Sequence, residues 1–208
     1  MRRPVKSCLN FYGSGSQTNL ESIASMPRQG PNKFSWENAR SSLKGYDRDS
    51  LLQLVGEMYR LSPANRNFLQ ARLLSDPEDR AKPFKKRLRA ALNPDAVGKD
   101  DHDLAAAKRT MQEFSQASSD PEAIADLMIY AVECGNRFTL NCGDIDEEFY
   151  DGLIDIYAAA TKKVLQLPKD VRNTYRRRLE KIMKSSHGIG WGYHDGLCDL
   201  FDKAFPEK

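Results

Sequence analysis

The residues best suited to chemistry lie near the end of the chain, where two histidines and a cysteine fall in one short stretch. His194 and Cys198 are four positions apart, so a helix would place both on one face, as zinc ligands often are. His187 could add a third ligand from across the intervening glycines. Tetrahedral zinc sites usually show two close pairs of ligands, and this stretch has one pair. We therefore expect no metal and no cofactor, with Cys198 packed against apolar neighbours and His194 at the surface.

The same stretch carries a glycine run, SSHGIGWGYHDG, of the residue type that cradles phosphate groups. A dinucleotide site needs a strand before such a run, and here a basic helix is predicted instead. The glycines are then read as a turn between two helices that needs positive φ angles. Because such a turn can also serve as a recognition loop, its side chains are interaction candidates. They are Trp191, Tyr193 and His194.

Two basic segments, 82–89 and 172–184, are the other functional signal. Each predicted helix directs its apolar stripe away from most of its positive charge, so both would present cationic outer faces. Such faces can neutralise the phosphates of a nucleic acid. The candidate residues are Lys85, Lys86, Arg89, Arg172, Arg176 and Arg177.

Composition limits the function classes. The 208 residues carry a net charge of only +3, too small to identify a partner by itself. The sequence has no GxSxG nucleophile motif, no HExxH motif and no Walker loop, which argues against an enzyme. Four scattered cysteines indicate reduced thiols, and no apolar run is long enough for a membrane span. These observations favour a cytoplasmic protein.

The clearest structural element is the segment 43–74, which predicts a helical hairpin. Leu51, Leu54, Val55, Met58 and Tyr59 recur at helical spacing and form one apolar stripe, expected to face the core. The sequence Leu61-Ser62-Pro63 ends this helix and begins the next, because serine caps a helix and proline suits its first position. The second helix is expected to turn Phe68, Leu69 and Leu73 inward.

Further helices follow from caps, prolines and glycines. Pro83 is expected to separate a short turn over 76–82 from a helix over 83–92. A helix over about 101–117 comes next, and the one that starts after Asp120 is expected to stop near Gly135. Asp144 with Glu147 suggests a capping box for a helix reaching Leu167, and two more helices are predicted over 169–185 and 193–204.

The predicted fold is therefore all-α, with seven or eight helices arranged as packed helical hairpins, either a bundle or a short HEAT-like solenoid. Residues 1–38, rich in serine, glycine and proline, are expected to form a disordered or loosely packed tail before a single domain over 39–208. Residues 61–73 also align without gaps on residues 167–179. The alignment reflects either two similar helical units or two similar turns.

The segments LKGYDRDSLLQLVGEMYRLSPANRNFLQARL and GIGWGYHDGLCDLFDKAF resemble a bacterial family catalogued as domain of unknown function six-one-five-five. The resemblance covers about residues 42–206 and implies a small helical bacterial protein without an assigned activity. From the residues themselves we expect a non-enzymatic module that binds another protein. The alternative is a nucleic-acid-binding protein that uses the two basic helices.

Overall fold

The computed structural model describes residues 34–94 and 102–206, and these residues form helices without any strand. The all-α prediction is confirmed for this part of the chain, which holds nine helices rather than seven or eight. They are α1 (Trp36–Leu43), α2 (Arg48–Leu61), α3 (Pro63–Leu73), α4 (Pro77–Leu92), α5 (Leu104–Ala117), α6 (Pro121–Cys142), α7 (Glu147–Leu165), α8 (Lys169–Ser185) and α9 (Tyr193–Ala204).

Contacts divide the chain into two units after Arg48. In the first unit, the described residues 34–48 contain α1, whose start is capped by Ser35. No residue of α1 is buried. The tail predicted over 1–38 lies almost entirely outside the described residues, and the boundary at residue 39 stays a prediction.

In the second unit, α6 occupies the centre of the helix packing. It contacts α4, α5, α7 and α8, and α9 packs against α7 and α8. The side chains predicted to point inward from α4 and α7 are confirmed as buried, among them Phe84, Leu88, Phe149 and Leu153. Burial of these faces, at about 25 cal/mol per Å² of apolar surface, is the main stabilising term for the unit.

Three helices begin at the predicted combination of a capping side chain followed by proline. Ser62, Asp76 and Asp120 each accept backbone N–H hydrogen bonds from the first turn of α3, α4 and α6. Each cap satisfies donors that have no partner within the helix, and proline costs nothing there because its missing N–H is not needed.

The predicted break at Pro83 is wrong, because α4 continues through it from Pro77 to Leu92. Proline removes the hydrogen bond that would reach the carbonyl oxygen four residues earlier, at Asp79. The side-chain amide of Gln70, on α3, donates to this oxygen at 2.8 Å. A neighbouring helix thus replaces the lost bond, which a single-helix argument does not anticipate.

The predicted stop at Gly135 is also wrong, since α6 runs on to Cys142 and ends at Gly143, whose φ is 88°. Gly135 is instead a point of close approach between α6 and α7. A Cβ atom at this position would lie 2.5 Å from a methyl group of the buried Leu153. Glycine here makes room for a neighbour and does not end the helix.

The start of α7 is capped by Asp146 and not by Asp144. The Asp146 carboxylate accepts the backbone N–H of Phe149 at 2.8 Å. Asp144 is two residues too early for this role, and its carboxylate binds side chains from other parts of the fold. The helices predicted over 169–185 and 193–204 are confirmed.

The two helices of the opening segment form, but α2 makes no extensive contact with α3 or with another described helix, so the predicted packing of the hairpin and its burial are wrong. No residue of α2 is buried, and on α3 only Ala71 is. Phe68 and Leu73, predicted to face inward, are exposed. α3 contacts α4 and α5 through the side on which Ala71 lies. Phe68, one turn earlier, borders this contact and lines a pocket together with Phe84, whereas Leu73 lies on the far side of the helix.

Candidate functional site

Trp191 lies in the turn between α8 and α9, and its ring is tied to the segment that joins α6 to α7. The indole Nε1 donates to both carboxylate oxygens of Asp144, at 3.0 and 2.9 Å. Asp144 also accepts the Tyr150 hydroxyl at 3.1 Å. The Trp191 backbone is left-handed, with φ 57°, and its side chain is half exposed. A partner can reach Trp191, but it would meet a side chain that is already held in place.

Tyr193 is a core residue, which corrects its prediction as a surface interaction residue. It is fully buried at the start of α9, with its ring centroid 5.3 Å from that of Tyr150. Burial raises the pKa of its hydroxyl, and the nearby Tyr157 and Tyr150 raise it further. The ring therefore contributes to holding α9 against α7 and is closed to a partner.

His194 lies between a hydroxyl group and a thiol, so both nitrogens of its ring are engaged. Nδ1 is 2.9 Å from Oγ of Ser186, whose hydroxyl donates to the carbonyl oxygen of Met183. Because that proton is already used, Nδ1–H of His194 donates to Ser186. Nε2 lies 3.6 Å from Sγ of Cys198, within reach of the thiol proton.

The structure brings His187 beside this pair but does not complete a metal site. The rings of His187 and His194 meet edge to face, with centroids 5.3 Å apart. The described residues contain no group of three or more ligands placed to hold a metal ion. What the arrangement supports is an imidazole within hydrogen-bonding distance of the thiol of Cys198.

Cys198 is expected to react several-fold more slowly with a thiol reagent than Cys142, because the thiolate is the reactive form. Burial raises the pKa of the Cys198 thiol, and the carboxylates of Asp202, Asp195 and Asp199 raise it further. Cys142 is exposed. Peptide mass spectrometry after limiting iodoacetamide at pH 7.5 measures both rates, and Cys198 should gain more on raising the pH to 9. Faster labelling of Cys198 at pH 7.5 would contradict this prediction.

Lys85 and Arg178, from the two basic helices, converge on one carboxylate of α6. The Lys85 Nζ lies 3.0 Å from Asp126, and Arg178 binds the other oxygen of the same carboxylate. Arg178 also donates two parallel hydrogen bonds, of 2.9 and 3.0 Å, to the carboxylate of Glu133. Burial would raise the pKa of Asp126, but the hydrogen bonds and charges of Arg178 and Lys85 outweigh it and lower that pKa. These two cations are neutralised inside the protein.

Two further cations of α8 also have partners within the chain. Arg172 donates to the carbonyl oxygen of Leu167 at 2.8 Å. The Arg176 guanidinium lies 5.8 Å from the ring centroids of both Phe201 and Phe205. Of the six predicted nucleic-acid contacts, three have exposed side chains, namely Lys86, Arg89 and Arg177. The cationic surface is thus smaller than the sequence suggests.

A cleft of about 480 Å³ opens beside the Asp126 network, and acidic residues dominate its lining. Asp76 and Asp120 are occupied there as helix caps, because their carboxylates accept backbone N–H groups. Glu78 and Asp126 both bind Lys85. These contacts give four of the five lining carboxylates a partner within the chain.

Comparison with protein-family models, with curated proteins and with solved structures finds no match to this chain. The resemblance to domain of unknown function six-one-five-five therefore stays a prediction. Within residues 34–94 and 102–206, no helix combines the length and the apolar character that crossing a membrane requires.

The surface that sequence reasoning missed lies on α2. Five of its apolar side chains are between 38% and 58% exposed, whereas a stripe of this kind normally faces a core. The spacing of the stripe was visible in the sequence, but periodicity identifies an apolar face without saying what covers it. We call this surface the α2 face, and it consists of Leu51, Leu52, Val55, Met58 and Tyr59.

The α2 face is joined to the rest of the second unit through α3 by specific hydrogen bonds. The Asn65 side chain, on α3, donates to the carbonyl oxygen of Met58 at 2.7 Å and so links the two helices. Arg72 donates to the carbonyl oxygen of Ala117, at the end of α5. Together with the Gln70 bond to α4, these contacts attach α3 to the core and let α2 present its apolar side chains to solvent.

Proposed function

We propose that the protein is a non-enzymatic helical module that binds another protein through the α2 face. The observation that carries this proposal is a 14-residue helix with a regular apolar stripe and no buried residue. Monomeric proteins rarely expose contiguous apolar patches of this kind, and those that do usually bind something there. Covering the face would contribute about 25 cal/mol for each Å² of apolar surface removed from water.

The helix arrangement supports such a role. Every pair of helices in extensive contact is adjacent in the chain or separated by one helix, as in α3 with α5 and α4 with α6. This order is typical of stacked helical hairpins, so we propose a short HEAT-like stack as the architecture. α2 belongs to none of these pairs, so its apolar face lies outside the stack and stays open to a partner.

We further propose that the protein works in the cytoplasm. Cys134, Cys142 and Cys198 are free thiols, a state that a reducing compartment maintains. The Cys142 side chain is exposed and would be oxidised readily outside such a compartment.

Nucleic-acid binding is the second candidate, and the exposed side chains of Lys86, Arg89 and Arg177 support it. Against it, Lys85 and Arg178 already neutralise carboxylates of α6. A mobility-shift assay at low and moderate salt separates the two candidates, because phosphate contacts weaken steeply with salt. Loss of binding in an Arg177→Ala variant, with full binding in a variant of the α2 face, would favour the nucleic-acid function.

The protein-binding proposal is tested with two variants of α2 that add the same charge. Val55→Lys places an ammonium group in the α2 face, whereas Gln53→Lys places it on the polar side, where it can pair with Glu57 one turn later. We expect wild type and Gln53→Lys to retain a shared set of proteins in quantitative affinity capture from the source cells. Val55→Lys should lose that set at least tenfold, since burying an unpaired charge is costly.

Circular dichroism establishes that both variants keep their helix content, because neither side chain is buried in the wild type. An identical protein set on wild type, Val55→Lys and Gln53→Lys would contradict the proposal.

A further inference from the structure

We infer that the outer surface of α4, α6 and α8 binds the paired phosphate rows of a nucleic-acid duplex. This surface is separate from the α2 face, so the inference goes beyond protein binding and rests on the second candidate function, to which it gives a defined site. It starts from a placement that only the fold supplies, because α6 lies between α4 and α8 and packs against both. The two basic helices are thereby joined into one surface.

Positive charge is concentrated on these three helices. α4, α6 and α8 together contain fourteen basic and seven acidic residues, a net charge of +7. α3, α5, α7 and α9 together contain seven basic and eight acidic residues, a net charge of −1 with histidine neutral. The small net charge of the whole chain thus conceals a strongly cationic group of helices, and such a surface attracts a polyanion.

α6 contributes a cation that neither basic segment contains. Arg137 is exposed and lies one turn after Glu133, the carboxylate that Arg178 of α8 binds. It therefore continues the cationic surface across the helix that separates α4 from α8. We call this surface the cationic face, and its exposed members are Lys82, Lys86, Arg137, Arg177 and Lys181.

Contacts with α6 show on which side of α4 and α8 these cations lie. Lys82 is one turn before Lys85, whose ammonium group reaches a carboxylate of α6. Lys181 is one turn after Arg178, which also binds carboxylates of α6. Residues three positions apart are neighbours on a helix surface. The exposed cations of α4 and α8 therefore flank α6 from its two sides.

The cationic face holds like charges close together. Lys82 and Lys86 are four residues apart on α4, and Arg177 and Lys181 are four residues apart on α8. Like charges at this spacing destabilise a helix, so neither pair is explained by stability. A phosphate placed beside each pair would replace the repulsion with attraction.

The scarcity of apolar side chains favours a nucleic acid over a protein or a membrane. Among the described residues of α4 and α8 no large apolar side chain is exposed, and on α6 Leu140 alone is. Protein interfaces have an apolar or aromatic core, and membrane-surface helices insert apolar side chains. Interfaces with nucleic acids are more polar and much more positively charged, as this surface is.

The spacing of the helices favours a duplex over a single strand. Packed helices lie about 8–10 Å apart, so the cations of α4 and α8 form two rows separated by roughly 16–20 Å. A duplex carries a row of phosphates on each side of a groove, and the major groove of DNA is about 12 Å wide. Long lysine and arginine side chains cover the difference. A single backbone would meet one row at a time.

The acidic cleft sets one border of the cationic face. It opens at the N-terminal ends of α4 and α6, where Asp76 and Asp120 act as caps. Lys86 and Arg137 lie in the C-terminal halves of the same helices. A phosphate backbone is repelled by the cleft, so it contacts the part of the surface towards the C-terminal ends of α4 and α6.

Fluorescence anisotropy of a short labelled DNA duplex of mixed sequence tests the inference, with the full chain titrated at about 50 to 200 mM KCl. We expect micromolar binding at the lowest salt. A plot of log affinity against log salt should have a slope of about −4 to −5, because each of five contacts contributes about −0.9. The triple variant Lys86→Gln, Arg137→Gln and Lys181→Gln, one change per helix, should weaken binding at least tenfold and reduce that slope by about 3.

A second triple variant removes the same charge from other helices. Lys108→Gln, Lys162→Gln and Lys203→Gln alter exposed side chains of α5, α7 and α9. We expect it to bind within about threefold of wild type, since distant charges are screened. Absence of binding by wild type at the lowest salt would overturn the inference, as would equal weakening in the two triple variants.

Other anionic probes identify the source of the phosphate rows. The titration is repeated with an RNA duplex, with a single DNA strand and with phosphatidylcholine vesicles that contain phosphatidylserine. Binding of either duplex supports the inference, and the tighter one names the nucleic acid. A single strand that binds more tightly than both duplexes, or vesicles that bind when neither duplex does, would overturn it.

Failure of this inference can be told from failure of the proposed function, because the two surfaces lie on different helices. Affinity capture is carried out after nuclease treatment, so that captured proteins do not depend on nucleic acid. A wild type that binds no duplex but loses its captured proteins in Val55→Lys would refute the cationic face alone. A wild type that binds the duplex, with the same proteins captured by Val55→Lys, would refute the α2 face alone.

Discussion

Replacing Phe149 with alanine is expected to lower the free energy of unfolding by about 3–5 kcal/mol. Phe149 is fully buried in the first turn of α7. Its ring lies edge-on to those of Phe138, Tyr150 and His102, with centroids 5.9, 5.6 and 4.6 Å away. Alanine would leave a cavity that these neighbours cannot close without moving, and the ring contacts would be lost as well.

Phe68→Ala is the matched control, because it removes the same group from a side chain that is 45% exposed on α3. We expect Phe68→Ala to lower the free energy of unfolding by no more than about 1 kcal/mol. Urea unfolding followed by circular dichroism at 222 nm measures the free energy of unfolding of both variants. All proteins are compared at one concentration, because association would add to the measured stability. Equal losses in the two variants would contradict the burial pattern of α3 and α7.

Replacing Arg178 with alanine is expected to cost about 2–4 kcal/mol of stability at pH 7. Arg178 binds Asp126 and Glu133 on α6, and the three side chains are all less than a third exposed. Removing the guanidinium leaves Glu133 without this partner and Asp126 with Lys85 alone. The desolvation of both carboxylates remains while most of the compensating attraction is gone, so the loss exceeds that of an exposed pair.

The loss of stability caused by Arg178→Ala should decrease as the pH is lowered. The pKa of Asp126 is lower in the folded protein than in the unfolded chain, despite the opposing effect of burial, because Arg178 and Lys85 stabilise its charge. Its contribution is thus complete above the unfolded value near 4 and is lost as the pH falls through the lower folded value. Wild type and Arg178→Ala should converge in stability below about pH 4.

Arg177→Ala provides the control, since the neighbouring Arg177 side chain is exposed. Its expected effect at pH 7 is within about 0.5 kcal/mol. Equal effects of the two replacements, or a difference between wild type and Arg178→Ala that persists undiminished at low pH, would argue against the Asp126 network as the cause.

Local sequence was sufficient to predict all the described helices except α1, and most of their starts. Ser62-Pro63, Asp76-Pro77 and Asp120-Pro121 begin helices because a capping side chain and a following proline act within one turn. Where prediction failed, a second helix supplied what the first lacked. Gln70 satisfies the carbonyl oxygen that Pro83 leaves free, and Gly135 serves to admit Leu153.

In the candidate site too, sequence predicted what lies within one helix and missed what a second segment contributes. The spacing of His194 and Cys198 correctly placed them beside each other, since both lie on α9 four residues apart. It did not foresee Ser186, from before the glycine turn, which fixes the protonated nitrogen of His194. The glycine turn itself was recognised, but that Trp191 faces Asp144 while Tyr193 enters the core depends on how α9 packs against α7.

What the sequence determined by itself is the helical class of the described chain and the apolar stripe of each helix. Both follow from interactions within a few residues: caps, prolines and the 3.6-residue period. Only the tertiary structure decided which stripes are covered. The stripes of α4 and α7 meet other helices, whereas that of α2 remains at the surface. Burial depends on contacts between segments far apart in the chain, and no local pattern records them.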